Sequence, residues 1–215
     1  MSMWVPMFPL PDVVLLPRAI LPLHIFEERY RAMTRDALAG DRRIAMAKLR
    51  RGWEKAGTAN PPVEDVLCVG TIIEHARLPD GRFNLLLQGE SRVCYTGLER
   101  PGVYRVAKVE PMDEKVVLEI DVADLREQML TMFESGELSR LPAAENFVKL
   151  LRSFLATSAV ADLIGFHLLD PTEKQLLLEE PDVRRRVERL VDQLRWLGRR
   201  LRPKGPPMPP GVSLN

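Results

Sequence analysis

Cysteine is nearly absent from this chain: 215 residues contain only Cys68 and Cys94. Two thiols do not make the disulfide framework of a small secreted domain. Both sit in apolar, strand-like runs, so they read as free, buried thiols of a reducing compartment. No stretch approaches 18 uninterrupted apolar residues, which excludes a membrane-spanning helix. The N-terminus is apolar but has no basic opening segment and is broken by Pro6, Pro9 and Pro11. It is not a signal peptide, and the expected location is the cytoplasm. An excess of one charge is missing too. With 31 basic and 30 acidic side chains the formal net charge is +1, so no global field favours nucleic acid or a membrane. The pattern G-x-x-x-x-G-K-[ST] occurs nowhere, so no P-loop cradles a nucleotide. His24, His75 and His167 fall in three different elements without the spacing of a metal site. Ser91 and Ser153 have no nearby base, and Cys68 has no electropositive setting. No catalytic residue, cofactor or metal is expected.

The remainder is ordinary globular material: 46% hydrophobic and 28% charged. A chain of this length buries roughly 70% of its unfolded surface and needs no staples. Up to about Met112 the pattern is strand-like. Short apolar runs at residues 4–10, 13–16 and 21–25 are cut by prolines, as in edge strands and bends. One helix interrupts them, with Tyr30, Met33, Ala37 and Leu38 on one face and Gly40 just past its end. Residues 43–49 form the next strand, and 50–64 a long polar loop. Residues 66–78 enter the turn Pro79-Asp80-Gly81 and return over 82–88, a hairpin pre-set by proline and glycine. Two more strands follow at 91–98 and 103–109. A mostly antiparallel sheet of about six strands closes most simply as a small barrel.

Beyond Met112 the hydrophobic period changes from 2 to 3.6. Val122, Leu125, Met129, Met132 and Phe133 lie on one helical stripe, and Phe147, Leu150, Leu151, Phe154 and Leu155 on another. Ser158 is placed to cap a short helix. Asp170-Pro171-Thr172-Glu173 combines an N-cap acid, proline at N1 and glutamate at N3. Asp182 opens a final helix with the stripe Val183, Val187, Leu190, Val191, Leu194, Leu197 and Leu201, ended by Pro203. The expected organisation is α+β: residues 1–115 a β-barrel with one helix, 116–202 an α-helical bundle, and 203–215 a Pro-rich tail.

Several phrases resemble one family. Phe8-Pro9-Leu10, Val13-Val14-Leu15, Pro17 and the run Leu21-Pro22-Leu23-His24-Ile25-Phe26-Glu27-Glu28-Arg29-Tyr30-Arg31 are similar to the opening of the Lon substrate-binding domain, the N-terminal domain of ATP-dependent Lon proteases. Val69-Gly70-Thr71-Ile72, Leu78-Pro79-Asp80-Gly81-Arg82-Phe83 and Gln88-Gly89-Glu90-Ser91-Arg92-Val93 continue the series. Ala161-Asp162-Leu163-Ile164, Glu173-Lys174-Gln175-Leu176-Leu177 and residues 182–190 complete it. One departure is Pro17-Arg18, where the family usually has Pro-Gly; the turn there lacks the φ > 0 freedom of glycine. The resemblance implies a PUA-like form for the barrel and a non-catalytic module that binds unfolded or exposed polypeptide. The ATPase module and the Ser-Lys protease of full-length Lon have no counterpart in these 215 residues, so a stand-alone domain is expected.

The candidate polypeptide- or partner-binding residues are Phe26, Glu27, Glu28, Arg29, Arg31 and Trp53, around a groove expected between barrel and helices. The charged members also fit first-turn acids favoured by the helix dipole, beside solvated arginines. Tyr30 and Met33 fit the core better than a binding face. Charge is uneven along the helical part, with 5 basic and 12 acidic residues over 116–180 but 9 and 3 over 181–215. Arg184, Arg185 and Arg186 are therefore candidates for an anion or RNA contact, the alternative being a solvated face paired with the acidic helices. Stacking on RNA would have only Trp196 in that run. A third possibility is an adaptor or regulator that docks a full-length protease through the helical half.

Overall fold

The computed structural model describes residues 2–56 and 60–201; the Pro-rich tail lies outside them. Six strands come first: β1 (Met3–Leu10), β2 (Ile20–Ile25), β3 (Arg43–Lys48), β4 (Val66–Arg77), β5 (Phe83–Arg100) and β6 (Val106–Pro111). Helix α1 (Glu28–Ala39) interrupts them between β2 and β3. Then follow α2 (Ala123–Glu134), α3 (Ala144–Leu151), α4 (Thr157–Leu168), α5 (Pro171–Glu179) and α6 (Val183–Leu201). The fold is α+β, one sheet followed by a set of helices.

The sheet order is β2-β5-β4-β3-β1-β6, and β5 also pairs with β6. The pairings β1–β3–β4–β5–β6–β1 thus run in a circuit, with β2 attached outside it through β5 alone. All are antiparallel except β1–β3. The two strands expected at 82–88 and 91–98 are one 18-residue strand, β5. A bulge at Glu90 is the reason for the apparent break: Val69 faces Ser91 while Gly70 faces Gly89. Gly89 is required there because a Cβ would collide with the Leu16 carbonyl. Of residues 13–16, Val14, Leu15 and Leu16 are buried and Val13 is half-buried, and they form no strand.

Strand β3 at the middle of the sheet is buried on both faces. Ile44 and Met46 of β3 join one cluster with Phe8, Tyr30, Met33 and Leu87, while Ala45 and Ala47 join another with Val5, Met7, Val93 and Val109. Small alanines suit the inner cluster, where strands from the whole circuit converge. Cys68 lies in the first cluster, and burial pushes its thiol upward. Cys94, expected to be buried, is exposed. It shares a face with Arg92, two residues on, where nothing covers it.

The helices build a third cluster around Met129, Phe133, Phe147, Ile164, Leu190 and Leu194. Each such side chain contributes about 1.5–3 kcal/mol by leaving water. Helix α5 starts as its sequence dictates: Asp170 accepts from the amides of Thr172 and Glu173 at 2.8 and 3.0 Å. Helix α4 starts two residues earlier than a Ser158 cap would set it, with Ala156 at the N-cap and no side-chain cap. The connector after β6 is tied to the start of α6, with Lys115 bridging Asp182 and bonding to the Pro181 carbonyl.

Three buried charges, Arg92, Asp162 and Arg186, and the exposed Glu114 join sheet to helices. Arg92 of β5 makes two bonds to Asp162 of α4, 3.0 and 2.5 Å, and one to the Leu178 carbonyl. Glu114 lies 3.4 Å from Arg92 and 2.6 Å from Arg186 of α6. Burial pushes the Asp162 carboxyl above its ordinary value, and the Arg92 and Arg186 charges pull it back. Arg18 and Arg42 hold φ of 66° and 63°, the left-handed region that costs a non-glycine residue about 1–2 kcal/mol.

Candidate functional site

The sheet's outer ribbon, β2–β5–β4, carries the apolar opening. Register places Pro22 opposite Leu86 and His24 opposite Asn84, with Glu74 and Ala76 opposite the same two residues from β4. Cross-strand partners share a face, so these six line one surface. A second bulge, between Ile72 and Glu74, sets the β4 half of it; without that extra residue Ile73 and His75 would point there instead. A groove of about 390 Å³ opens on this surface, completed by Leu23, His75 and Leu85. Its chemistry is apolar stems with a few polar groups, the usual make-up of a ligand groove.

His24 is oriented within the groove. Its Nδ1 is 2.6 Å from Asn84 Oδ1, and its Nε2 is 3.2 Å from Arg82 Nη1. Arginine only donates, so Nε2 accepts and Nδ1 carries the proton to Asn84. Phe26, 62% exposed, stacks on His24 with ring centres 6.3 Å apart. It forms an apolar rim. Strand β2 has no second neighbour among the described residues, so its outer edge presents backbone groups, with Pro22 removing one donor.

The other sequence candidates are placed as follows. Glu27 pairs with Arg29 at 3.0 Å, and Glu28 with Arg31 at 3.1 Å and Arg35 at 3.5 Å. Arg29 also covers the Tyr30 ring. Arg31 donates to the Gly81 carbonyl at 2.9 Å, tying α1 to the Pro79-Asp80-Gly81 turn; a Cβ at Gly81 would strike its guanidinium. Trp53 is half-buried against the inner sheet cluster. Tyr30 and Met33 are core. His24 and His75, distant in sequence, line the same groove, whereas His167 packs against Phe147 and Phe166. No group of three His, Cys, Asp or Glu suited to a metal exists among the described residues.

Arg184, Arg185 and Arg186 do not form one basic patch. Arg186 points inward to Glu114, Arg184 pairs with Glu188 at 2.9 Å and Asp124 at 3.8 Å, and Arg185 is exposed. The cavity between sheet and helices, where an apolar groove was expected, is instead charged, with Arg92, Glu114, Asp162 and Arg186 in its wall. Sequence reasoning missed the ribbon groove because its face depends on the bulge after Ile72. It also missed a second exposed apolar set: Leu118 and Ile120 on the connector, and Phe154 in the α3–α4 loop. Arg126 holds that loop by the carbonyls of Leu151, Ser153 and Leu155. The helical period places Phe154 on a buried stripe; α3 ends at Leu151, so it lies outside the helix.

Comparison with known proteins gives one family. The pattern of the ATP-dependent protease La (LON) substrate-binding domain fits residues 4–195. The chain is 28% identical over 190 residues to a Lon protease of Dictyoglomus thermophilum and 28% over 191 residues to that of Escherichia coli K12. These alignments cover 86% and 87% of this chain but only 23% and 24% of those proteins. Among solved structures, the N-terminal domain of a Mycobacterium avium complex Lon protease superposes with a TM-score of 0.68 at 20% identity, covering 90% of this chain and 98% of that one. A Lon N-terminal domain protein of Xanthomonas campestris superposes with a TM-score of 0.61 at 23% identity, covering 88% and 98%.

Proposed function

The chain belongs to the ATP-dependent protease La (LON) substrate-binding domain family, and from that premise we propose that it binds unfolded or exposed polypeptide segments without catalysing a reaction on them. The groove on the β2–β5–β4 ribbon carries this reading. Apolar side chains of a client enter beside Pro22, Ala76 and Leu86, Phe26 closes over them, and the free edge of β2 offers backbone bonds to an extended segment. Each well-buried client side chain gains about 1.5–3 kcal/mol, and ordering the segment offsets much of that, so affinity is about micromolar. We read the sheet as a PUA-like barrel, supported by its circuit of pairings. We take residues 1–115 and 116–202 as its two parts, since the last strand ends at Pro111 and the helices follow the connector. A cytoplasmic location is part of the same proposal.

RNA binding, the rival reading, loses its footprint when Arg186 is buried and Arg184 is paired. An adaptor role has one observation in its favour, the exposed Leu118, Ile120 and Phe154 on the helical side. Titrating a labelled unfolded protein and a structured RNA against the full chain across a salt series tests the proposal. The client is expected to bind with little salt dependence. RNA alone binding, with affinity falling on the order of a thousandfold from low to moderate salt, overturns it.

A further inference from the structure

Three observations converge on the cavity of about 310 Å³ at the seam between sheet and helices. The first is Arg186. It is 1% exposed, yet its Nε and Nη2 make no hydrogen bond. Glu114 Oε1, 2.6 Å from Nη2, lies outside the direction of its N–H bonds and acts as an ion pair only. Asp162 is committed to Arg92 and reaches Arg186 only at 3.9 Å. A buried charged donor left unbonded is costly, and oxyanions are its natural acceptors.

The second is the start of the 12-residue helix α4, which opens into the same cavity through Ala156, Ser158 and Ala159. Its first amide, of Thr157, is taken by the Glu119 carboxylate. The amides of Ser158 and Ala159 have no acceptor among the described residues, and the N-terminal end of the helix dipole favours negative charge there.

The third is Arg18 at the cavity's rim. It holds φ = 66°, a conformation natural to glycine, and its side chain has neither ion pair nor hydrogen bond among the described residues. A strained backbone that presents an uncommitted cation points to function rather than packing. Of the wall's carboxylates, Asp162 is held by Arg92, Glu114 is shared by Arg92 and Arg186, and Glu90 is held by Arg43 and Thr71. What the cavity has to spare is N–H donors.

We propose that this seam cavity is a binding site for a compact oxyanion, phosphate or carboxylate, held by Arg186 Nε, the first free amides of α4 and Arg18. It is separate from the ribbon groove and does not depend on the polypeptide reading. Because Arg186 belongs to α6, Ser158 to α4 and Arg18 to the turn before β2, an anion there ties the helices to the sheet and stabilises the folded chain by mass action.

Isothermal titration of the full chain with inorganic phosphate and, separately, with succinate, both at constant ionic strength in chloride, tests this. Saturable one-to-one binding of at least one anion is expected. Phosphate alone, or succinate alone, identifies the oxyanion. Arg18→Gly relieves the strained φ, keeps the fold and is expected to weaken binding at least fivefold. Ser158→Glu places a carboxylate at the helix start and is expected to abolish it. No saturable binding of either anion, or binding unchanged in both variants, overturns the proposal.

Discussion

The two openings of this molecule differ in every chemical respect. The ribbon groove is apolar, lies on the outer face of three strands, and is bordered by a free strand edge and an exposed phenylalanine. The seam cavity is walled by arginines and carboxylates and lies where the two parts of the fold meet. Apolar surface is thus left open where no second element covers the sheet, and charge is buried where sheet and helices must dock in one way. Hydrophobic burial alone is non-directional, whereas the Arg92–Asp162 fork and the shared Glu114 accept only one arrangement of α4 and α6 on β5. Specific docking as the reason for keeping these charges is a hypothesis for this chain.

The seam gives the largest effect. Asp162→Ala leaves Arg92 and Arg186 to share Glu114, and unfolding by denaturant is expected to show a loss of about 3–5 kcal/mol. Arg92→Met combined with Asp162→Leu is expected to recover a good part of it. A double variant no better than Asp162→Ala would show that the ion pair does not account for the loss.

The groove behaves in the opposite way. Phe26→Ala removes an exposed ring and is expected to leave stability within about 0.5 kcal/mol while weakening client binding about tenfold. Leu86→Glu places a charge in the groove and is expected to do the same more strongly. If either variant unfolds the chain without touching binding, the groove is packing and not a site.

Acid separates two carboxylates by sign, Glu99 near the end of β5 and Asp162 at the seam. Burial tends to raise the Glu99 carboxyl, but bonds from Arg105 and Tyr95 outweigh it and hold Glu99 below its ordinary value. Its stabilisation is present above the ordinary glutamate range and is lost as pH falls through the lowered folded value. The penalty of Glu99→Gln, followed by urea midpoints, is expected to be full near neutrality and to vanish in strong acid. Asp162, raised by burial, runs the other way: its contribution becomes more favourable as pH falls through the carboxylate range. Matching pH trends for Glu99→Gln and Asp162→Asn would contradict this.

Much of the fold was legible in the residues. Proline-cut apolar runs, the Pro79-Asp80-Gly81 turn, the Asp170 cap and the change of period after Met112 are local signals, and local signals set elements. The site was less so. Its face depends on a bulge that nothing in the sequence around Ile73 announces. Arg186 reads like its neighbours Arg184 and Arg185 until the rotation of α6 turns it inward. Cys94 sits in an apolar run and is exposed only because the cover ends before it. Each of these depends on what lies opposite in three dimensions, which spacing along the chain does not encode.

Site-specific photo-crosslinking tests the central claim most directly. A photoreactive phenylalanine analogue replaces Phe26 at the groove rim in one preparation and Phe154 on the helical side in another, both exposed positions. Each is irradiated with a labelled unfolded client. The ribbon-groove account predicts strong crosslinking from position 26, suppressed by Leu86→Glu, and background crosslinking from position 154. Crosslinking from position 154 with none from position 26 would contradict it and move client binding to the helical half.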